Sequence, residues 1–210
     1  LTRVEVGGKI SPLLAESWEQ TNPTTWRFKL RDNVKFHNGD PFTAESVKFT
    51  IDRARDPNNA LAALSRLGDV AEVKIVDRLT IDIVTKAPNV ILPNNMSLIF
   101  IGSERYFAQA GAEAYANRPV GTGPWRMTAF TVNEHYAFDR NPDYWGPQPA
   151  IKEIEINVVP EAAARISGLM TGEIDIIEGV TADHIAQIES SGQAKTVSEL
   201  VGTVAQFALN

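Results

Sequence analysis

Cysteine is absent from this 210-residue chain. That one absence excludes disulfides, iron–sulfur clusters, thiolate zinc sites and a cysteine nucleophile. It does not fix the compartment, because cysteine-free proteins occur on both sides of membranes. Histidine is scarce: His37, His135 and His184 lie far apart, in no HxxxH or HExxH spacing. No apolar run reaches the ~18 residues that a membrane span needs, and no charged-then-apolar leader opens the chain. The protein is therefore expected to be cytosolic or to have lost its leader. Basic charge is in deficit, with 20 Lys and Arg against 26 Asp and Glu, a net charge of −6 and a pI near 5.1. Nucleic acid needs a clustered basic footprint, so it is not expected as a partner, nor is an anionic membrane surface. The abrupt start, LTRVEVGGK, and the end inside an apolar run, TVAQFALN, read as a piece of something longer.

What is present is the balance of an ordinary globular protein, 43% apolar and 22% charged. Residues 24–31, TTWRFKLR, alternate cleanly, with Trp26, Phe28 and Leu30 on one face and Arg27, Lys29 and Arg31 on the other. Period two predicts a strand with one wet face. LLAESWEQ before it is the expected partner, joined through Thr21, Asn22 and Pro23. His37-Asn38-Gly39-Asp40-Pro41 reads as a turn, Asn-Gly supplying positive φ angles. Thr43 is then an N-cap, Glu45 an acid in a first helical turn, and Val47, Ile51 and Ala54 the buried stripe of a helix over 44–55. His37 and Asp40 are too few for a metal site, so this turn is read as scaffold.

Strands are predicted at 70–76 and 79–84, hinged at Asp77-Arg78. Residues 91–96 fit a helical turn or a loop, and 98–101 a buried strand. Ser103 caps a helix through Gln109, with a further helical turn over 112–116. The run Arg118-Pro119-Val120-Gly121-Thr122-Gly123-Pro124 changes the character of the chain and marks a loop or domain crossing. Trp125, Met127 and Ala129 alternate in the next strand, and 135–139 returns antiparallel. After the irregular connector at 140–147 a βαβαβ rhythm is expected. It comprises a strand through Ile154, Ile156 and Val158, a helix ended by Gly172, a strand at 173–177, a helix from Thr181 to about Ser190, a strand at 194–199 and a central strand at 203–209. Alternation of this kind predicts an α/β sheet with covering helices.

Chemistry-bearing patterns are few. Gly121-Thr122-Gly123 runs into Pro124, Trp125 and a strand, so the helix N-terminus of a phosphate loop is missing. Glu173 and Asp175, with Glu178 nearby, would be a carboxylate pair for a hydrolase, but acids two apart on a wet strand face are ordinarily solvated. No serine sits in a Gly-x-Ser-x-Gly elbow. No enzyme and no cofactor are expected. Of the four tryptophans, 18, 26, 125 and 145, most should be core, with one bordering a ligand cleft.

Five stretches in order, LAESWE, WRFKLRDNVKFHNGDPFTAESVKFTIDRA, PVGTGPW, RNPDYWG and VVPEAAARISGLMTGEIDIIEG, resemble the family 5 extracellular solute-binding proteins. These are the peptide-, nickel- and glutathione-type receptors of ABC importers. The resemblance implies a class II periplasmic-binding-protein-like α/β lobe, a mixed sheet with covering helices plus a smaller inserted α+β domain. Residues 1–118 would form that smaller domain and 119–210 the βα portion of the main one, with the second lobe absent. It also implies a periplasmic protein, monomeric at full length, that captures a peptide or similar small polar solute and delivers it to the permease's transmembrane subunits. A nickel-chelate or other metal-chelate receptor is the alternative; the metal would have to arrive inside an organic chelator. No family motif supplies the ligand contacts. By position they are expected at Asn59, in the segment after the first long helix, and at Asn94, Asn95, Met96 and Ser97. Amide groups there suit a peptide backbone or a carboxylate.

Overall fold

The computed structural model describes residues 1–59 and 64–197. A short hairpin opens the chain, β1 (Thr2–Val4) against β2 (Ile10–Pro12). Next come β3 (Ala15–Asn22) and β4 (Thr25–Leu30), paired antiparallel through the expected turn, where the Asn22 side chain accepts from Thr24 N–H at 3.0 Å. The periodicity of β4 is realised: Phe28 and Leu30 are buried while Lys29 is exposed. Helix α1 (Ala44–Arg55) follows Thr43, as expected, and buries Ala44, Ser46, Val47, Ile51 and Ala54. The turn before it needs Gly39, whose φ of +89° lies in the left-handed region.

After a single turn, α2 (Leu64–Leu67), strands β5 (Val70–Asp77) and β6 (Thr80–Thr85) complete a four-stranded sheet in the order β3-β4-β6-β5. Its inner face supplies Phe28, Val73, Ile81 and Ile83 to the same core as Val47 and Ile51 of α1. The Lys48 ammonium ties α1 to β5 by donating to Val73 O at 3.2 Å.

The segment after β6 resolves the ambiguity at 91–96 in favour of helix: α3 (Leu92–Asn95) runs into a 3-10 turn over Met96–Leu98. The strand expected at 98–101 does not form. Ile99 and Ile101 are buried and Phe100 is 88% exposed, the alternation of a strand, yet no neighbouring strand bonds them among the described residues. Ser103 caps α4 (Glu104–Asn117), its hydroxyl accepting from Tyr106 N–H at 3.0 Å. Gly111, at φ +79°, breaks that helix between the two stretches the sequence predicts separately.

Strands β7 (Trp125–Thr131), β8 (His135–Arg140) and β9 (Glu153–Asn157) form a second, three-stranded sheet. The chain divides into two compact units, 1–156 and 157–210. Within the first, Pro119 marks the passage from one sheet to the other. The second unit contains α5 (Ala162–Thr171), ended by Gly172, and α6 (Ala182–Ser190) behind Thr181. The strand expected at 173–177 is irregular backbone, as are 194–197. Ile176 is 84% exposed and Val197 89%. A strand persists only where another supplies its hydrogen bonds, and neither segment has such a partner among the described residues. The strand expected at 203–209 and the end of that at 194–199 lie outside the described residues.

Candidate functional site

The loop at 119–124 is held from two directions. From the Phe36–Asp40 turn, His37 N–H donates to Gly121 O at 2.9 Å, and the ring straddles the loop. Its Nδ1 accepts from Gly121 N–H at 3.3 Å, and Nε2 faces Gly123 O at 3.0 Å. A carbonyl only accepts, so Nε2 carries the proton and the ring is neutral. Burial pushes the His37 pKa down, the Gly123 carbonyl partly opposes this, and the nearby Arg126 charge adds to the fall. From the 140–147 connector, buried Asn141 donates through its backbone to Pro124 O at 2.7 Å and through Nδ2 to Gly123 O at 3.2 Å. Trp145 Nε1 donates to Thr122 O at 3.1 Å, while the Arg31 guanidinium stacks 4.7 Å from the Trp145 ring. The connector RNPDYWG is therefore a clamp on GTGP.

That clamp shapes a cleft of about 580 Å³. Leu13 and Ile101 line its apolar side, Trp125, Phe138, Tyr144 and Trp145 form an aromatic wall, and Thr122 and Ser97 contribute polar groups. Phe100 stands at the lip. Among the described residues no carboxylate, lysine or arginine side chain lines the cleft. Two of its hydroxyls are engaged elsewhere: Ser97 Oγ donates to Asn94 O at 2.7 Å and Thr2 Oγ1 to Pro93 O at 2.6 Å. Both ring nitrogens of His37 are occupied by the loop. The described lining residues offer shape, aromatic area, hydroxyls and backbone groups, features that suit the holding of a small solute. One donor is unsatisfied: Trp125 Nε1 is buried without a partner among the described residues. The Leu1 backbone nitrogen, buried beside the cleft, donates to Met96 O at 3.0 Å.

Of the residues expected to meet ligand, Ser97 lies on the cleft wall. Asn94 and Asn95 are half-buried beside it, and the Asn95 amide reaches Arg66 O at 3.4 Å. Met96 is fully buried in the core. Asn59 brackets the end of α1, its amide donating to Arg53 O at 3.3 Å and Asp56 Oδ2 at 3.2 Å. Residues 60–63, in the same expected segment, lie outside the described residues. Sequence reasoning did not single out Phe138, Tyr144 and Thr122; the signal available was the aromatic pair in RNPDYWG beside the GTGPW loop. Glu173, Asp175 and Glu178 are exposed on irregular backbone. Asp40 accepts from Asn38 Nδ2 and Ser103 Oγ, both at 2.7 Å, holding turn to helix as scaffold does. Among the described residues no three His, Asp or Glu side chains gather as a metal site.

Residues 9–210 match the model of the bacterial extracellular solute-binding proteins, family 5 Middle. The chain belongs to that family. It is 32% identical to the nickel-binding periplasmic protein of Escherichia coli K12 over 185 residues, 85% of this chain and 35% of that protein. It is 26% identical to di/tripeptide-binding protein 2 of Pseudomonas aeruginosa, over 96% of this chain and 42% of that one. The crystal structure of Brucella suis NikA in complex with Fe(III)-EDTA superposes with a TM-score of 0.81 at 32% identity, over 91% of this chain and 40% of that one. The Helicobacter pylori periplasmic binding protein DppA in complex with the peptide STSA gives 0.82 at 25% identity, over 90% and 42%. The fold is thus that of a family 5 periplasmic binding protein lobe, and the chain spans less than half the length of these relatives.

Proposed function

We propose that this chain forms the solute-capturing lobe of an ABC importer's periplasmic binding protein, a receptor and not an enzyme, for a peptide or similar small polar solute. The observation that carries the reading is the cleft itself, an aromatic-walled space of about 580 Å³ with no carboxylate, lysine or arginine side chain among its described lining residues. Relatives named for peptides and glutathione support the solute class. In this reading the aromatic wall packs on the solute's apolar parts and Ser97, with Asn94 and Asn95 beside it, meets its polar backbone. Met96 supports that segment from beneath, and Asn59 holds the end of α1 in place. Residues 1–118 act as the smaller domain of the lobe and 119–210 as part of the main one. The receptor works as a monomer in the periplasm and hands its solute to the permease's transmembrane subunits.

A metal-chelate receptor is the second reading, favoured by the nickel-binding relative and by the solved relative holding Fe(III)-EDTA. Without a cluster of protein ligands among the described residues, such a metal enters already wrapped in an organic chelator. Tryptophan fluorescence separates the readings, because Trp125 and Trp145 lie in the wall. Di- and tripeptides, glutathione and nickel–histidine are titrated in turn, and each solute is recovered and assayed for change. Saturable quenching by the peptides or glutathione with intact solute supports the first reading; quenching by nickel–histidine alone supports the second. Consumption of any solute overturns the receptor reading.

A further inference from the structure

A second cleft lies against the same 119–124 loop and carries the opposite character. Its volume is about 540 Å³, and it runs along five consecutive residues of β7, Arg126 to Phe130, facing the end of α4 and the turn at His37 and Asn38. Arg118 and Arg126 both line it, and among the described residues no aspartate or glutamate does. Neither arginine makes an ion pair or a side-chain hydrogen bond among the described residues, whereas Arg27, Arg31, Arg55 and Arg78 are all paired with carboxylates. Two candidate quenchers are close in the fold and do not act. Asp139 stands opposite Arg126 in the β7–β8 register without pairing to it. Asp40, behind Asn38, spends its carboxylate on Asn38 and Ser103.

Two unpaired guanidinium groups in one cleft are unexpected in a chain of net charge −6. Like charges raise each other's electrostatic energy, and in an acidic protein carboxylate partners are abundant, so two cations left together mark a place where negative charge is wanted. Donors without partners complete the lining: the Asn117 amide and the Thr128 hydroxyl also make no side-chain hydrogen bond among the described residues. Guanidinium forks and neutral donors around a space of this size match an oxyanion carrying two charges.

We infer that this cleft is an accessory anion site, taking a small phosphate or dicarboxylate through Arg118 and Arg126, separate from the aromatic cleft. His37 lies between the two sites, lining both, with its ring bonded to the loop they share. It is also a built-in reporter. The Arg126 charge is among the causes that hold the His37 pKa down, so an anion seated on Arg126 raises it.

The test is NMR titration of the 210-residue chain with inorganic phosphate and, separately, with succinate, at ionic strength held constant with chloride. His37 is assigned by comparison with His37→Gln. Saturable shifts of Arg126–Phe130 amides with a rise in the His37 pKa are expected for at least one probe, and the probe that acts names the chemistry. Arg118→Gln and Arg126→Gln are each expected to weaken binding about tenfold, the loss of one charge-assisted contact. Both side chains are exposed, so the fold is retained, which the unchanged β5 and β6 amides confirm. Shifts that fail to saturate, that chloride reproduces, or that survive in the double variant overturn the site.

Discussion

The two sheets of residues 1–156 are built from equally good strand sequence and end in opposite states. The β3-β4-β6-β5 sheet is covered: α1 lies on it, and among the described residues the fully buried members of the core formed with it run from Leu1 to Ile101. In the β7-β8-β9 sheet no strand residue is fully buried, and Asn141, in the connector, is the buried residue of that region. Period-two alternation specifies a strand and its two faces; it does not specify that anything will cover either face. Stability therefore sits in the first sheet, while the second presents side chains outward and lines both clefts.

Truncation at matched aromatics breaks the comparison most sharply. Phe28, in the middle of the first core, is fully buried, and Phe28→Ala is expected to cost about 3–5 kcal/mol. Phe130, on β7, is 36% exposed and packs against Tyr136 across the hairpin, ring centroids 5.3 Å apart and tilted by 52°. Phe130→Ala is expected to cost about 0.5–1 kcal/mol, the value of one cross-strand aromatic pair. Urea unfolding followed by circular dichroism measures both. Equal losses would show that the second sheet carries as much of the fold as the first.

Where a pattern and its partner lie close in sequence, the sequence reading and the fold agree. The β3–β4 hairpin, the Thr43 and Ser103 caps, the β5–β6 hairpin and the Gly172 stop all depend on neighbours within a few residues. The failures at 98–101 and 173–177 share a cause. Both carry strand-like side chains, and in both the deciding fact is the presence of another strand, which local pattern does not encode. The cleft was partly legible. Ser97 was reachable by position through resemblance, and the family itself through five ordered motifs. The aromatic wall was not, because Trp125 and Trp145 line one cleft only in the fold, where Asn141 holds the connector against the loop. Asn141 gives no sign in sequence of being the buried residue that accepts from Asp143 N–H while its own groups hold Gly123 and Pro124.

The smallest expected effect concerns the joint between the two regions. His37 belongs to the covered half and grips the loop that opens the uncovered one. Its ring is an acceptor at Nδ1 only while neutral. Protonation converts that nitrogen into a donor facing the Gly121 N–H, so the bond is exchanged for a clash of two donors. Because burial lowers the His37 pKa, the neutral form persists below the ordinary histidine value of 6.5, and the grip fails only as pH falls further. The Gly121 amide resonance is expected to hold steady from pH 8 to 6.5 and to move with a midpoint below 6.5. The Asn141 side-chain amide, on the other side of the loop, should stay in place, because its bonds to Gly123 and the connector do not titrate. A midpoint at or above 6.5 would mean that the ring is solvated and that Asn141 and Trp145 hold the loop without it.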